Sequence, residues 1–547
     1  MATMATMATT AQGEIPVIIL REGTRETKGK TAQRNNITAV KLVGNIMKSS
    51  LGPRGMDKML VDTLGDVTIT NDGATILKEM DIQHPAAKMM VEVAKSVDNE
   101  VGDGTTSAVI LTAALIEKAE DLLNKDVHPM LIVEGYDLAS EKALELLTGI
   151  GIKVDPTDKD VLASIAKTSM ESKLVSEDSP LLAKISAEAI LQVAEKSDET
   201  YKVDMDNIKV EKKAGGSISD TRLINGIVID KEIVHGGMPK YVRKANIALL
   251  NAALEIEKTE ISAEIRISDP EQMKSFLDEE NRMMKAMVDK ISETGANVVI
   301  CQKGIDDVVQ HYLAKAGILA VRRVKESDMV KLAKATKGRV VTNIEDLTKE
   351  DLGTADLVEE RKVETDKWIF IEGCRDPKAM TILIRGGSQR VVDEAERSMH
   401  DALMVAKDVI ERPVIVAGGG APEAYTAWKL REWANTLSGR EQLAVFAFAD
   451  ALETIPVTLA TNAGMDPIDT LIEIRSKQSQ GNKWAGVDVF GMKIADIYRK
   501  GILEPLVVKE LIIKSATEVA IMILRIDDVI AASRPKEGSR SREPPME

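Results

Sequence analysis

The chain is 547 residues long, more than one hydrophobic core holds, because cores stop growing at about 250–300 residues; two to four domains follow. Its 72 Lys and Arg against 87 Asp and Glu leave a net charge of −15, which argues against general affinity for nucleic acid or an anionic membrane. Two cysteines, Cys301 and Cys374, build neither a disulfide framework nor a metal site by themselves and fit a reducing cytosol.

Aromatic residues make up only 3% of the chain and Met is counted 25 times, so aliphatic and thioether side chains fill the interior. No apolar run approaches the roughly 18–20 residues of a membrane span. The start, MATMATMATT at 1–10, lacks the basic and apolar regions of a signal peptide and reads as a tail. Apolar residues at Ile37, Val40, Val43, Ile46 and Met47 predict a helix, followed by a strand pair at 59–61 and 67–70 and helices over about 106–123 and 130–147. From about 225 to 373 short apolar runs alternate with helical patterns; 297–301 and 318–324 read as buried strands of an α/β layer. Inside it, Ser268-Asp269-Pro270-Glu271 is a helix start, opening a Met-rich helix through Phe276, Met283, Met284 and Met287 to about Ile291. Residues 421–532 are again helix-rich, and the Pro- and charge-rich end at 533–547 reads as disordered.

Gly29-Lys30-Thr31 resembles the end of a P-loop, but position 24 is Thr24 where that motif needs Gly, so a charged loop before a helix is the reading. The sharper signal is Gly102-Asp103-Gly104-Thr105-Thr106-Ser107, running into an apolar helix. Two glycines let a backbone approach a ligand, and the helix start offers unpaired N–H groups to an anion. Asp103 in such a loop suits Mg²⁺ rather than phosphate. A capped helix after a Gly turn explains the same letters. Three more turns share the ambiguity: Asn71-Asp72-Gly73, Ser50-Leu51-Gly52-Pro53, and Gly418-Gly419-Gly420 before Pro422. Asp393, after the turn Gly386-Gly387-Ser388, reads on composition as an acid on a solvated helix face. If the turns near both chain ends serve one site, the middle is an insertion hung on segments near 154–222 and 375–410.

Taken together and in this order, the motifs resemble the group II chaperonins, in particular the archaeal thermosome branch, over roughly residues 15–532. The blocks that carry the resemblance are VIILREGT at 17–24, SSLGPRGMDKML at 49–60, GDVTITNDGATIL at 65–77, HPAAKMMVEVA at 84–94 and VGDGTTSAV at 101–109. They continue with GANVVICQKGIDD at 295–307, LAVRRVKESD at 319–328, DEAERSMHDAL at 393–403 and AGGGAPE at 417–423; the early Gly23, Arg34 and Asn35 also look archaeal.

The resemblance implies a multi-domain α+β fold. A mostly helical, discontinuous equatorial ATPase domain takes residues 1–153 and 411–547, a small α/β intermediate hinge domain 154–222 and 375–410, and an α/β apical domain 223–374. The apical domain would carry a helical protrusion at about 256–291 as a built-in lid, so that no separate lid co-chaperonin is needed. It also implies two stacked rings of this chain and paralogous subunits in the cytoplasm, enclosing a chamber where unfolded protein clients fold at the expense of ATP. ATP/ADP and Mg²⁺ are the implied cofactors, with K⁺ a further candidate. By resemblance Gly52, Pro53, Gly104, Thr105 and Thr106 cradle the phosphates, Leu51, Gly73 and Ser107 also bind the nucleotide, and Asp103 ligates Mg²⁺. Asp72 lies beside the γ-phosphate and helps orient water, and Asp393 is the general base brought in on closure. Lys173 senses the γ-phosphate, Gly419 and Glu504 contact the ribose side, and Gly420 also binds the nucleotide. Met492 departs from the pattern, standing where such proteins usually carry Gly. Two other classes compete: a small-molecule phosphotransferase, which needs catalytic His or Lys that the 5 His of the chain do not supply near the Gly loops, and a structural assembly without productive hydrolysis.

Overall fold

The computed structural model describes residues 25–197, 200–256, 270–374 and 379–531. The two terminal segments, the block at 17–24 with Gly23, the helix-start residues Ser268 and Asp269, and lid residues 257–269 lie outside the described residues.

The first helix, α1 (Gly29–Lys48), buries Ile37, Val40, Val43 and Met47. Ile46 departs from the predicted apolar face: it is 41% exposed, because the 3.6-residue period carries it to the rim of that face. Gly29-Lys30-Thr31 is not a loop but the opening turn of α1, where the Gly29 N–H donates to Asp528 Oδ1 at 3.2 Å. Lys58–Val61 and Val67–Thr70 form the expected antiparallel hairpin. Then follow α2 (Gly73–Glu79), α3 (Pro85–Val101), α4 (Thr105–Leu123) and α5 (Pro129–Ile150). The apolar run of α4 buries residues on nearly every side, from Ala108 through Ile116, as a helix at the centre of a core does. Two more helices, α6 (Lys159–Met170) and α7 (Ser179–Val193), pack on each other and lead to a three-stranded sheet. In that sheet Met380–Gly386 runs between Ile208–Ala214, its parallel neighbour, and Arg222–Ile224, its antiparallel one.

The middle of the chain forms a seven-stranded mixed sheet. Tyr241–Leu250 pairs in parallel with Val298–Cys301, which pairs in parallel with Leu319–Val321; on its other side Tyr241–Leu250 meets Gly353–Val363 antiparallel. Strand alternation sorts the side chains into two cores. Ile247, Leu249, Val298, Ile300, Leu319 and Val321 enter one, where α10 (Glu326–Thr336) supplies Met329 and Leu332. Ala248, Leu250, Val299, Cys301 and Ala320 enter the other. That face is covered by α8 (Pro270–Glu293) through Met284, Val288 and Ile291, and by α9 (Asp307–Lys315) through Val309 and Leu313. Both faces being covered, the strands read as unbroken apolar runs rather than alternating ones. Away from the sheet, α8 leaves Met273, Phe276, Leu277 and Met283 exposed.

The chain then returns through α11 (Gln389–Glu411), capped by Ser388. It continues with α12 (Ala421–Ala434), α13 (Glu441–Leu452), α14 (Thr454–Asn462), α15 (Pro467–Ser479) and α16 (Leu506–Leu524). The two ends are knitted together. Val414–Ala417 pairs with both Ile152–Lys153 and Leu503–Pro505, and Arg25–Lys28 pairs with Asp528–Ala531. One core holds residues of α1 and α3–α7 with α11–α13 and α16. The segments around 162–208 and 380–410 therefore share the core of the ends, while the central sheet has its own.

One sequence expectation is corrected here. Glu441–Asn462 is a 22-residue stretch long and apolar enough by composition to span a membrane, with a mean hydropathy of 1.6. It is instead a core element: 72% of the apolar window is buried inside the protein, and Glu453 at its middle accepts bonds from Arg431 and Arg475.

Asp408, near the end of α11, is buried with Oδ2 lacking a hydrogen-bond partner among the described residues. Burial pushes its carboxyl up to about 8, with Glu411 and Glu100 adding repulsion against the pull of Lys407 and Arg412. An ordinary aspartate loses its proton near pH 4, so between there and pH 8 the folded chain holds a proton that the unfolded chain has released. Stability therefore falls as pH rises through that window, by up to roughly 1.4 kcal/mol per unit. Asp408→Asn is expected to flatten this slope and to stabilise the chain by about 1–3 kcal/mol at pH 8. Urea denaturation from pH 5 to 8 checks it; parallel curves for parent and variant would contradict it.

Candidate active site

Four turns distant in sequence converge on one cavity, which encloses about 1130 Å³ including its open mouth, the scale of a small-molecule site. Leu51, Gly52 and Pro53 come from the turn after α1, Asp72 from the start of α2, Asp103 to Ser107 from the start of α4, and Gly419 and Gly420 from the turn before α12. Lys173 and Glu504 also line it; of the residues expected from the sequence, Gly73 and Asp393 do not.

Each turn has a local reason. Asp72 caps α2, its Oδ2 accepting from the Thr75 N–H at 2.8 Å. Its other oxygen accepts from the Thr105 hydroxyl at 3.4 Å, linking the starts of α2 and α4. Gly73 does not line the cavity, but it allows that approach: a Cβ there would stand 2.7 Å from the Thr106 hydroxyl and 2.8 Å from its N–H. Gly104 is in the left-handed region at φ +82, and α4 has no side-chain cap. The N–H groups of Thr105, Thr106 and Ser107 lie in the first turn of α4, upstream of the first intrahelical bond from the Ala108 N–H to the Gly104 carbonyl. Such groups suit an anion.

The electrostatics are unusual for a phosphate site. Asp72, Asp103, Glu171, Asp401 and Glu504 line the cavity against Lys173 and Lys509. Both lysines are already paired, Lys173 with Asp401 and Lys509 with Glu423 at 2.8 Å and Glu504 at 2.6 Å. Burial raises the Glu504 carboxyl pKa against the pull of Lys509. Burial opposes the charge on Lys509, but Glu423 and Glu504 overcome it and push its pKa up. Burial pushes Asp98 up to about 6, helped by repulsion from Asp72 and Asp103 and opposed by the attraction of Lys173. The carboxylate oxygens of Asp72 and Asp103 are hard donors of the kind that could hold a divalent cation.

Asp393 stands apart. It does not line the cavity; it lies in the first turns of α11, where Lys212 holds its Oδ1 at 2.7 Å and the Gln389 amide donates to the same oxygen at 2.9 Å. Asp401, roughly two turns further along that helix, does line it. The sequence reading also missed Asn71, Glu171, Val487, Phe490 and Lys509 in the lining. Asn71 and Glu171 adjoin residues it did select. The hairpin Ala485–Asp488 with Lys493–Asp496, which carries Val487, has no phosphate-type glycine pattern to flag it. Met492, in that hairpin's turn, has φ +47, a left-handed conformation that glycine adopts without penalty, which explains why Gly suits the position.

A profile of the TCP-1/cpn60 chaperonin family matches residues 43–534, and the chain belongs to that family, as a group II chaperonin subunit of the archaeal kind. It is similar to the thermosome subunit alpha of Archaeoglobus fulgidus, 59% identical over 96% of each chain. A thermosome subunit of Pyrococcus horikoshii is 58% identical over 96% of each chain, and the thermosome subunit beta of Thermococcus kodakarensis is 58% identical over 96% of this chain and 97% of that one. The chain is thus an ATP-dependent chaperonin subunit, an ATPase that with its fellows forms a folding chamber.

Proposed function

We propose that the cavity is the ATP site and that ATP binding and hydrolysis there drive closure of a lid over a double-ring chamber. The observation that carries this is the convergence of Leu51–Pro53, Asp72, Asp103–Ser107, Gly419–Gly420 and Glu504 on one cavity. The α4 N–H groups and the Leu51-Gly52-Pro53 turn take the phosphates, with Gly73 keeping the α2 start close. Gly419, Gly420 and Glu504 take the ribose side. Asp103 holds Mg²⁺, which when bound neutralises charge shared between phosphate oxygens and these acids; K⁺ is a candidate second ion. Asp72, oriented by the Thr75 N–H and the Thr105 hydroxyl, positions water beside the γ-phosphate, and Lys173 senses that phosphate. Asp393 is the general base. Its present bonds to Lys212 and Gln389 keep it from the cavity, so it acts only after α11 has moved, and positioning supplies most of the effect.

The division that gives this motion its use is an equatorial part (residues 1–153 and 411–547), a hinge (154–222 and 375–410) and an apical part (223–374). The apical part carries α8 as a built-in lid, and its exposed Met273, Phe276, Leu277 and Met283 suit contacts with apolar, non-native clients or with neighbouring lids. Ring assembly is supported by the hairpin near the chain start, where Met59, Val61 and Leu64 are 67%, 63% and 87% exposed, more apolar surface than a lone two-stranded ribbon keeps in water. The rings contain this chain and paralogous subunits, stand in the cytoplasm, need no separate lid protein and hold no nucleic acid.

Electron microscopy of the assembled protein, with and without a non-hydrolysable ATP analogue, tests the reading. Two stacked rings are expected, with nucleotide against Asp103 and the central modules swung inward when it is bound. Nucleotide density away from Asp103, or Asp393 pointing away from it in every state, would overturn it.

A further inference from the structure

Helix α11 carries an acid that the proposed chemistry does not use. Asp408 is 7% exposed, and its Oδ2 has no hydrogen-bond partner among the described residues. It sits where α11 meets the end of α3. Met404, one turn earlier, lies so close to Gly102 that a Cβ placed on that glycine would stand 2.4 Å from the Met404 Cβ. Gly102 closes α3 and opens the turn that leads through Asp103 to the start of α4. The charged group acting on Asp408 from α3 is Glu100; those of its own segment are Lys407, Glu411 and Arg412. Just beyond, the two chain connections between the ends and the middle run side by side. The Val154 N–H donates to the Pro413 carbonyl at 3.0 Å, and Val414 pairs with Lys153. A swing of α11 on these connections has its pivot beside Asp408.

We propose that Asp408 is a proton-operated latch: with its proton it lets α11 rest on the end of α3, and without it α11 is driven off that contact and the central module swings. This inference rests on the reading of α11 as a moving element of the ATP cycle. An ionised carboxylate in this place has neither water nor a donor for Oδ2 and faces the charge of Glu100, a combination that burial makes costly. Keeping the proton removes the charge. Burial, with Glu411 and Glu100, accordingly pushes the carboxyl up to about 8 against Lys407 and Arg412. Once α11 has lifted, water reaches Asp408, the group returns toward the ordinary aspartate range near pH 4, and the proton leaves to solvent. The docked arrangement thus binds this proton more tightly, so rising pH between about 4 and 8 favours the swung one. Asp408 is a positioning residue: it does not line the cavity and touches no reacting atom.

Small-angle X-ray scattering of the assembled protein with saturating Mg²⁺ and ATP, from pH 6 to 8.5, reads the ratio of closed to open particles. In the parent this ratio is expected to rise at least about 5-fold between pH 6.5 and 8, since one released proton allows up to about tenfold per unit. Asp408→Asn keeps the shape and cannot ionise, so its profile is expected to lie flat at the low-pH level of closure. Glu100→Gln removes the facing charge and should move the rise to lower pH. Titration of the nucleotide and of the other acids acts on parent and variants alike. A parent profile that is flat or falls with pH, or a slope that Asp408→Asn leaves intact, overturns the proposal. Should Asp408→Asn fail to assemble, Glu100→Gln carries the test, and a rise that stays at the parent pH overturns the latch. If the parent closes at no pH, the reading of α11 as a moving element falls too; if it closes equally at every pH, only the latch does.

Discussion

Asp393→Ala is expected to lower kcat for ATP hydrolysis by about 10²–10⁴-fold, the usual contribution of a positioned general base, while ATP still binds and the rings still form. The separation follows from where Asp393 sits. Its side chain is 32% exposed and its partners are Lys212 and Gln389, so its removal takes nothing from the core and little from stability, as for most surface substitutions. Outside the cavity, it makes no contact with an incoming nucleotide until α11 moves. Phosphate release and nucleotide affinity measured on the same preparation check this. A variant that hydrolyses ATP at the parent rate would remove Asp393 from the mechanism; one that loses affinity and rate together would place it in binding instead.

Lys509→Met is expected to cost about 3–5 kcal/mol of stability at neutral pH, the penalty for breaking a buried ion cluster by removing one partner. Among the described residues Lys509 is the only cation paired with Glu423 and Glu504, at 2.8 and 2.6 Å, and Glu423 Oε2 has no hydrogen-bond partner among them. Without the ammonium two carboxylates face each other in a buried place, and both then hold protons more tightly folded than unfolded. In the variant, stability is therefore best at acid pH and is lost as pH rises through the raised pKa values, the reverse of a paired carboxylate. Thermal unfolding of parent and variant between pH 5 and 8 checks the sign. A deficit that does not grow with pH would show that the cluster is not held by charge. Glu504 lines the cavity, so nucleotide affinity is expected to fall at neutral pH as well.

The elements were largely legible because their signals are local. The face Ile37, Val40, Val43 and Met47, the Pro270 helix start, and the all-apolar runs at Val298–Cys301 and Leu319–Val321 are each written within one stretch of chain. Ile46 misled because hydropathy reports that a residue is apolar, not which neighbour covers it: it stands 41% exposed at the rim of its helix face.

By itself, the sequence determined the chemistry available to the site: glycine turns that bring backbone N–H groups to an anion, Asp72 and Asp103 at helix starts, and the blocks that mark a chaperonin. Tertiary structure alone decided which of these residues face one another. It sets Asp401 rather than Asp393 in the cavity, pairs it with Lys173 from far along the chain, and buries Lys509 between two glutamates. Capping and turn preferences act over a few residues, so one stretch of letters specifies them. A buried ion pair depends on packing and desolvation contributed by distant segments, which exist only once the chain has folded.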